Sequence, residues 1–277
     1  MMLRKHLGHG LVLFFLGVVL LMVLFPLLIL GINAMKNQEE FYQTGPFRLP
    51  PRFHWEPIQK VIVTLGFFNR LWNSVLISVP TALFAIVLSL LNGYAIGIGR
   101  VRGKVFFLLF FLIAMMLPQE ALIYPLYYLF RLVKLYNTHL GVILCLTAGH
   151  LSFGTYLLAT VLGEFPRDFV DAAQIDGAGK IYVLTKIIVP LIMPTISVLF
   201  VFFFIWSWND FFLSLIFLIS EKVQTLPLGV LQMRGQYVTN INLQSAAGLL
   251  LSLPCIIFFL LFQRTLTQGV MASGIKG

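Results

Sequence analysis

The chain has 277 residues, of which 59% are hydrophobic and 10% are charged, with a formal net charge of +9. About a quarter of the residues of a soluble domain carry a charge, so this composition excludes a water-soluble protein and indicates one whose solvent is mostly lipid. The basic residues are scattered between apolar runs, which argues against a nucleic-acid partner. Two cysteines inside apolar runs and five histidines without a ligand spacing predict no metal site.

Six stretches are long and apolar enough to cross a bilayer as helices, since a spanning helix needs about 20 mostly apolar residues. None shows the alternation of a membrane-barrel strand. We interpret the first stretch as an uncleaved helix, because it is long enough to span and no cleavage site follows closely. The predicted fold is all-α, a single polytopic transmembrane domain over residues 1–277 with transmembrane helices at about 11–32, 71–97, 105–130, 140–162, 190–210 and 243–262.

The orientation follows from the even number of spans and from the basic residues. An even number places both termini on one side of the membrane, and cytoplasmic loops are enriched in Lys and Arg. The basic residues divide almost equally between the two sides. The cluster Arg100, Arg102 and Lys104 lies in a short turn, where such charges weigh most, and it favours cytoplasmic termini.

Polar residues within or at the ends of these spans are candidates for a solute pathway. Glu120 lies in the third span and Asp210 ends the fifth. An ionisable group at membrane depth is costly and by default functional; the alternative is that both lie near the outer interface and are hydrated. Neutral side chains could bind a solute or bridge helices, and the candidates among them are Asn73, Gln119 and Asn209.

Between the fourth and fifth spans lies a polar segment, residues 164–189. Pro166 suits the first turn of a helix, because its missing N–H costs nothing there. Gly177 suits the chain reversal at the end of that helix. A second short helix is predicted from Lys180 to Ile188, and Pro190 and Pro194 are expected to interrupt the entry into the fifth span.

Phe169, Val170 and Ala173 are predicted to form one apolar side of the first helix, at helical spacing. Small residues beside an acid would let a partner protein approach closely. The alternative, an amphipathic helix lying on lipid headgroups, explains the apolar side but not the accumulation of small residues. The segment is therefore interpreted as a structured element that another protein grips.

The segment resembles the "EAA" loop of the permeases of ABC importers, and its Ile-Asp-Gly form is similar to the carbohydrate branch of that family, such as the maltose-type permeases. The resemblance covers nearly the whole chain in order. It is carried by Asp171-Ala-Ala173, Ile175-Asp-Gly177, Ile188-Val-Pro190-Leu191, Leu71-Trp-Asn-Ser74, Met116-Leu-Pro-Gln119, Trp208-Asn-Asp210, Thr225-Leu-Pro-Leu-Gly229, and the closing Lys276-Gly277.

The resemblance implies a permease subunit that is not an enzyme and holds no cofactor, since ATP is bound by a partner. In agreement, the sequence contains no G-x-x-x-x-G-K-[ST] loop for phosphate. The implied partners are an ATP-binding cassette dimer, a second homologous permease, an extracytoplasmic binding protein and the lipid of a bacterial or archaeal cytoplasmic membrane. The implied ATPase-coupling residues are Asp171, Ala172, Ala173, Asp176, Gly177 and Pro190.

Two departures from the family pattern stand out: Asp171 replaces the usual Glu, and Gln174 stands where Arg or Lys is frequent. The expected cargo is a sugar or oligosaccharide. The alternatives are a same-fold subunit for glycerol phosphate or a polyamine, an ion-gradient-driven transporter, for which no inverted repeats are evident, and a membrane enzyme, for which clustered acids are missing. Resemblance to the smaller maltose-type subunit leaves open whether this chain contacts the cargo.

Overall fold

The computed structural model describes residues 2–99, 101–236 and 240–274, with side chains at 10–99, 101–231 and 240–263. All regular elements in these ranges are helical, which confirms the all-α fold class. Arg100 and the closing Lys276-Gly277 lie outside the described residues. The helices are α1 (Met2–Ala34), α2 (Gln38–Thr44), α3 (Glu56–Leu65), α4 (Phe67–Gly97), α5 (Lys104–Met116), α6 (Gln119–Leu132), α7 (His139–Gly163), α8 (Arg167–Ile175), α9 (Lys180–Tyr182), a π-helix (Val183–Ile188), α10 (Val189–Leu191), α11 (Met193–Asn209), α12 (Phe212–Phe217), a 3-10 helix (Glu221–Val223), α13 (Leu226–Gln236) and α14 (Ile241–Gly274).

Four of the described helices are each long and apolar enough to cross a membrane: Gly10–Ala34 within α1, all of α4, all of α7, and Ile241–Gln263 within α14. Two helix pairs pass this test only together. The pair α5 and α6 is bent by 93°, and the pair Lys180–Leu191 and α11 is bent by 80°. The described chain thus has four continuous spans, or six if each bent pair is one span. The predicted 105–130 and 190–210 helices fall on the two bent pairs.

Prolines account for both bends. Leu117 has an extended backbone (ψ 122°), because the ring of the following Pro118 disfavours the helical conformation in the residue before it. In the second pair, Pro194 lies in the first turn of α11. It has no N–H to bond the carbonyl four residues earlier, that of Pro190, and its ring crowds that carbonyl. The bends therefore lie where helical hydrogen bonds are missing.

Residues 1–68 and 229–256 form one compact unit. In this unit the start of α14 is tied to the end of α1, where helix carbonyls have no partner of their own. The Asn242 amide donates to the carbonyls of Asn33 and Lys36, both at 3.0 Å. The Lys36 side chain is buried and its Nζ donates to the Gly45 carbonyl at 2.6 Å. These bonds fix the segment that follows α1.

Residues 69–228 and 257–277 form the second compact unit. Here α4 crosses α7 at two glycines. A Cβ atom added at Gly93 would lie 2.7 Å from the Cβ of Leu158, and one at Gly97 would lie 2.8 Å from the Cβ of Leu162. Small residues at a crossing let two helix backbones approach closely inside a membrane. The contact with α4 therefore fixes one side of α7, a helix that also contacts α5, α11 and α12.

Candidate functional site

The 164–189 segment begins with α8, which the structure places at Arg167–Ile175. Pro166 stands just before the first turn, with φ −59° and ψ 118°, one residue earlier than predicted. Asp168 lies in the first turn, where a carboxylate is stabilised by the positive end of the helix dipole. The sequence thus starts the helix at a defined residue.

The end of α8 is fixed by hydrogen bonds around Gly177. The N–H of Ala178 donates to the carbonyl of Ala173 at 2.9 Å, and the N–H of Gly177 donates to that of Gln174 at 3.0 Å. This pair of bonds is a Schellman motif, which requires a left-handed residue after the helix. Gly177 supplies it with φ 80°. The chain therefore reverses direction at a rigid, defined turn.

One side of α8 is anchored to the protein. Val170 and Ala173 are buried, and α8 contacts the π-helix, whose Val183, Leu184 and Ile188 are buried as well. The prediction of an apolar side is met by Val170 and Ala173. Phe169, which was expected on the same side, is instead 54% exposed, because it lies one residue before Val170 and so points about 100° away around the helix.

The other side of α8 faces outward. Asp171, Ala172, Gln174 and Asp176 are all exposed, and within the described part of the chain no ion pair engages Asp171. Ile175 at the end of α8 is 86% exposed. A surface that combines a free carboxylate, small side chains and an uncovered isoleucine is chemically suited to a protein partner.

Pro190 is exposed and lies in α10, immediately before the 80° bend. The N–H of Ile192 still bonds the carbonyl of Ile188 at 3.0 Å, so the short helix is continuous up to the bend. The π-helix, α10 and α11 follow one another without a loop. These elements are therefore consecutive along the chain, up to and beyond the bend.

A cleft of about 580 Å³ lies among the helices of the second unit. Three of the five polar candidates line it, Gln119 from α6 and Asn209 and Asp210 from the end of α11. His150 from α7 and Trp206 from α11 line the same cleft. These side chains fall on three of the predicted spans, and the structure brings them to one site.

The other two candidates lie elsewhere. Glu120 is exposed in the first turn of α6 and does not line the cleft. Asn73 is buried and its amide donates to the carbonyls of Lys222 at 2.8 Å and Gln224 at 2.9 Å. Of the two roles that the sequence left open for Asn73, the structure shows the bridging one.

Asn137, which the sequence analysis did not single out, holds the same stretch of chain from another side. Its Oδ1 accepts from the N–H groups of Ile219 at 2.9 Å and Ser220 at 3.0 Å. Its own N–H donates to the carbonyl of Phe217 at 3.0 Å, and its amide donates to the hydroxyl of Ser220 at 2.6 Å. The only local signal is an Asn before the helix-capping Thr138, and it does not reveal a partner so far along the chain.

His150 packs as a core histidine. It is buried, its Nε2 lies 3.0 Å from the hydroxyl of Ser207, and its ring stacks on Phe203 with centroids 5.2 Å apart. Among the described residues, no group of three His, Cys, Asp or Glu side chains is arranged to hold a metal ion. The cleft offers hydrogen-bonding groups and ring faces to a ligand.

These features define a polytopic helical membrane protein with an exposed, end-capped helix between two spans and a mostly apolar cleft that carries a few polar side chains. The sequence profile of the family described as "Binding-protein-dependent transport system inner membrane component" matches residues 64–271. The chain belongs to this family. It is a multi-pass, non-catalytic permease component of an ABC transporter of the inner membrane, and it works with an ATPase and a binding protein.

Curated relatives match over most of their length. The chain is 29% identical over 259 residues to the arabinooligosaccharides transport system permease protein AraQ of Halalkalibacterium halodurans, covering 91% of each chain. It is 28% identical over 269 residues to the glucose import system permease protein GlcU of Saccharolobus solfataricus, covering 95% of this chain and 93% of the relative.

A solved structure shares the fold. It is described as a bacterial ABC transporter involved in the import of the acidic polysaccharide alginate, and one of its chains superposes with a TM-score of 0.74. The match covers 94% of this chain and 97% of that chain, at 21% sequence identity. The all-helical architecture is therefore that of an importer permease.

Proposed function

We propose that this chain forms half of the translocation pathway of an ATP-driven importer for a sugar or oligosaccharide. In this proposal the whole chain is a single permease domain with six spans, each bent pair counting as one. It pairs with a second, homologous permease, and both termini are cytoplasmic. The binding protein delivers the cargo to the opposite side of the membrane.

The observation that carries the proposal is the exposed face of α8. This helix is closed by a Schellman turn and anchored by Val170 and Ala173, so it can transmit force without fraying. Asp171, Ala172, Asp176 and Gly177 are exposed toward a partner, whereas Ala173 is covered by the protein itself. We assign the exposed four to contact with the ATPase and Ala173 to anchoring.

Force on α8 would travel along the contiguous helices of the chain. When the ATPase dimer closes on ATP, it would push α8 against the π-helix, which continues through Pro190 to the bend and α11. The end of α11 carries Asn209 and Asp210 of the cleft. The ATPase would thus alter the cleft through helix contacts alone, as alternating access around a site between helices requires.

The assignment of sugar as cargo is supported by the relatives, which are described as permeases for arabinooligosaccharides and for glucose. The cleft is consistent with it, because amide groups and a partly exposed tryptophan are suited to hydroxyl groups and ring faces.

The test is a charge reversal on α8 in the assembled transporter. Asp171→Lys places a cation where the carboxylate would meet a basic residue of the ATPase, and like charges at an interface cost several kcal/mol. We expect at least a tenfold loss of the ATPase activity that the loaded binding protein stimulates, with the basal activity of the ATPase unchanged.

Asp168→Lys is the matched control, since Asp168 is also exposed and lies three residues earlier on the same helix. Its expected effect is smaller than that of Asp171→Lys, because Asp168 is outside the residues assigned to the ATPase contact and its replacement only weakens the first turn of α8. Normal stimulation in Asp171→Lys, or an equal loss in both variants, would contradict the role assigned to Asp171.

A further inference from the structure

The cleft has an aromatic wall held in one position by its neighbours. Trp206 is 42% exposed although other rings surround it. Its ring centroid lies 5.2 Å from that of Phe153 at 73°, 5.6 Å from that of His150, and 5.8 Å from that of Phe202 at 15°. These contacts fix the indole plane, so the exposed part is a preformed apolar platform.

Amide groups stand beside this platform. Gln119 and Asn209 are both exposed and both line the cleft. The Nδ2 of Asn209 donates to the Ile205 carbonyl of its own helix at 2.9 Å, which leaves its Oδ1 as an acceptor. Gln119 offers a donor and an acceptor. A flat ring face with planar amides at its edge matches a ligand that carries hydroxyl groups on a ring.

The charged groups that line the cleft restrict the class of ligand further. Asp210 is the one carboxylate among the described residues that line it, and neither Lys nor Arg lines it. The Asp210 carboxyl group accepts from the N–H and the hydroxyl of Ser214, both at 3.2 Å, which holds the side chain at the end of α11. An anionic ligand would meet this acidic side chain there and, among the described residues, no cation.

We propose that this cleft is a subsite, formed by this chain itself, for an uncharged saccharide ring stacked on Trp206, and that it discriminates against acidic and phosphorylated sugars. The inference rests on the proposed importer function and deepens it. It separates the sugar assignment from the glycerol phosphate alternative, because a phosphate would lie beside Asp210 without a counter-charge.

Cys145 gives a readout inside the site. It is partly buried and lines the cleft, and Cys255 is the other cysteine of the chain. In the complete transporter in nanodiscs, with Cys255→Ser in this chain, the rate at which methyl methanethiosulfonate modifies Cys145 is measured by mass spectrometry. The ligands are three neutral trisaccharides, maltotriose, arabinotriose and raffinose, and the acidic trisaccharide trigalacturonate.

We expect at least one neutral trisaccharide to slow the modification of Cys145 about tenfold, and trigalacturonate to leave the rate unchanged. Trp206→Ala should abolish the protection. Trp72→Ala, which removes a 63% exposed tryptophan of α4 that does not line the cleft, should keep it. Equal protection by trigalacturonate, or full protection in Trp206→Ala, would overturn the proposal.

Uptake into proteoliposomes with the binding protein separates this inference from the function on which it rests. ATP-driven uptake of a neutral trisaccharide without protection of Cys145 would overturn the subsite and leave the importer function standing. Absence of ATP-driven uptake for every saccharide tested would overturn the function and the subsite together.

Discussion

Two of the described residues have a backbone conformation that residues other than glycine rarely adopt. Among the described residues other than glycine, Lys134 and Asn137 have positive φ, both 59°. Asparagine tolerates this left-handed region better than most residues. At Asn137 the conformation also aims the side chain at the backbone of Ile219 and Ser220. One residue thereby joins the turn before α7 to the chain that follows α12.

Asn137→Gly should lower the free energy of unfolding by about 1–3 kcal/mol, because it removes the side-chain hydrogen bonds but keeps the backbone conformation. Asn137→Ala should cost about 1 kcal/mol more, since alanine is strained at this φ. Thermal unfolding in detergent measures both. Asn209→Ala is the control, because that amide bonds only its own helix. Equal stability of the Gly and Ala variants would refute the strain argument.

Gly177 and Gly179 form a matched pair for testing the turn that ends α8. A Cβ atom would meet nothing within 4 Å at either position, but Gly177 has φ 80° and Gly179 has φ −73°. Gly177→Ala should therefore destabilise the turn by about 1 kcal/mol and reduce stimulated ATPase activity. Gly179→Ala should leave the activity of the assembled transporter near that of the parent. A larger loss in the second variant would assign the effect to bulk rather than to backbone conformation.

At the level of helices, the contact between α4 and α7 is sensitive to added volume. A Cβ atom at Gly93 would also lie 3.2 Å from the backbone nitrogen of Ala159. A helix backbone cannot yield as a flexible side chain does, so the whole of α4 must shift, and such overpacking costs typically about 1–3 kcal/mol.

Gly93→Ala should accordingly lower the unfolding temperature of the purified protein by several degrees. Gly31→Ala in α1 is the control, because nothing lies within 4 Å of its added Cβ and alanine is the better helix former. The measurement is the unfolding temperature of both variants in the same detergent. A fall in Gly31→Ala as large as that in Gly93→Ala would show that the loss does not come from the helix crossing.

The α8 element shows how a short helix on the surface of this protein is stabilised. An isolated helix of nine residues is not stable in water. Here the helix is stabilised by its context instead. It starts at a defined residue, Pro166, ends in a Schellman motif at Gly177, and buries two of its side chains. The π-helix to which it is anchored runs directly into α10 and α11, so the anchored element and the cleft share one continuous stretch of chain.

For the molecule as a whole, the continuous helices could be predicted from the sequence, because apolar length along the chain decides whether a helix can span. The bend at Pro194 could be predicted as well, since a proline was expected to interrupt the entry into the fifth span. The bend before Pro118 could not. Pro26, Pro80 and Pro254 lie inside α1, α4 and α14 without breaking them, whereas the helix ends before Pro118. Whether a proline ends a helix depends on neighbours that satisfy the freed carbonyl, which is a property of packing.

Some parts of the candidate site could likewise be predicted from the sequence and others could not. The polar residues of the cleft and the limits of α8 could be found locally, from charge in an apolar run and from the Pro and Gly signals. The convergence of His150 and Trp206 on the cleft could not, since aromatic residues are abundant throughout this chain. The hydrogen bonds of Asn137 could not be predicted, because its partner Ile219 is 82 residues away and no local sequence pattern encodes such a contact.

The proposed orientation can be tested on either side of the bent pair that contains α11. If α8 docks on an ATPase, Lys180 lies on the cytoplasmic side and Lys222, beyond the span, lies outside. Both side chains are exposed. Cysteines are introduced one at a time, as Lys180→Cys and Lys222→Cys, in a chain with Cys145→Ser and Cys255→Ser, and are labelled with a membrane-impermeant maleimide.

In right-side-out vesicles Lys222→Cys should label and Lys180→Cys should not, because a charged maleimide does not cross the bilayer. Inverted vesicles should give the opposite result. Labelling of both after detergent is added shows that each cysteine is reachable. Since α11 and its preceding helices connect the two positions, labelling of both cysteines from the same side in intact vesicles would mean that the 80° bend makes a re-entrant loop. The chain would then have fewer than six spans, and Lys222 would lie on the same side of the membrane as α8, which would contradict the proposed orientation.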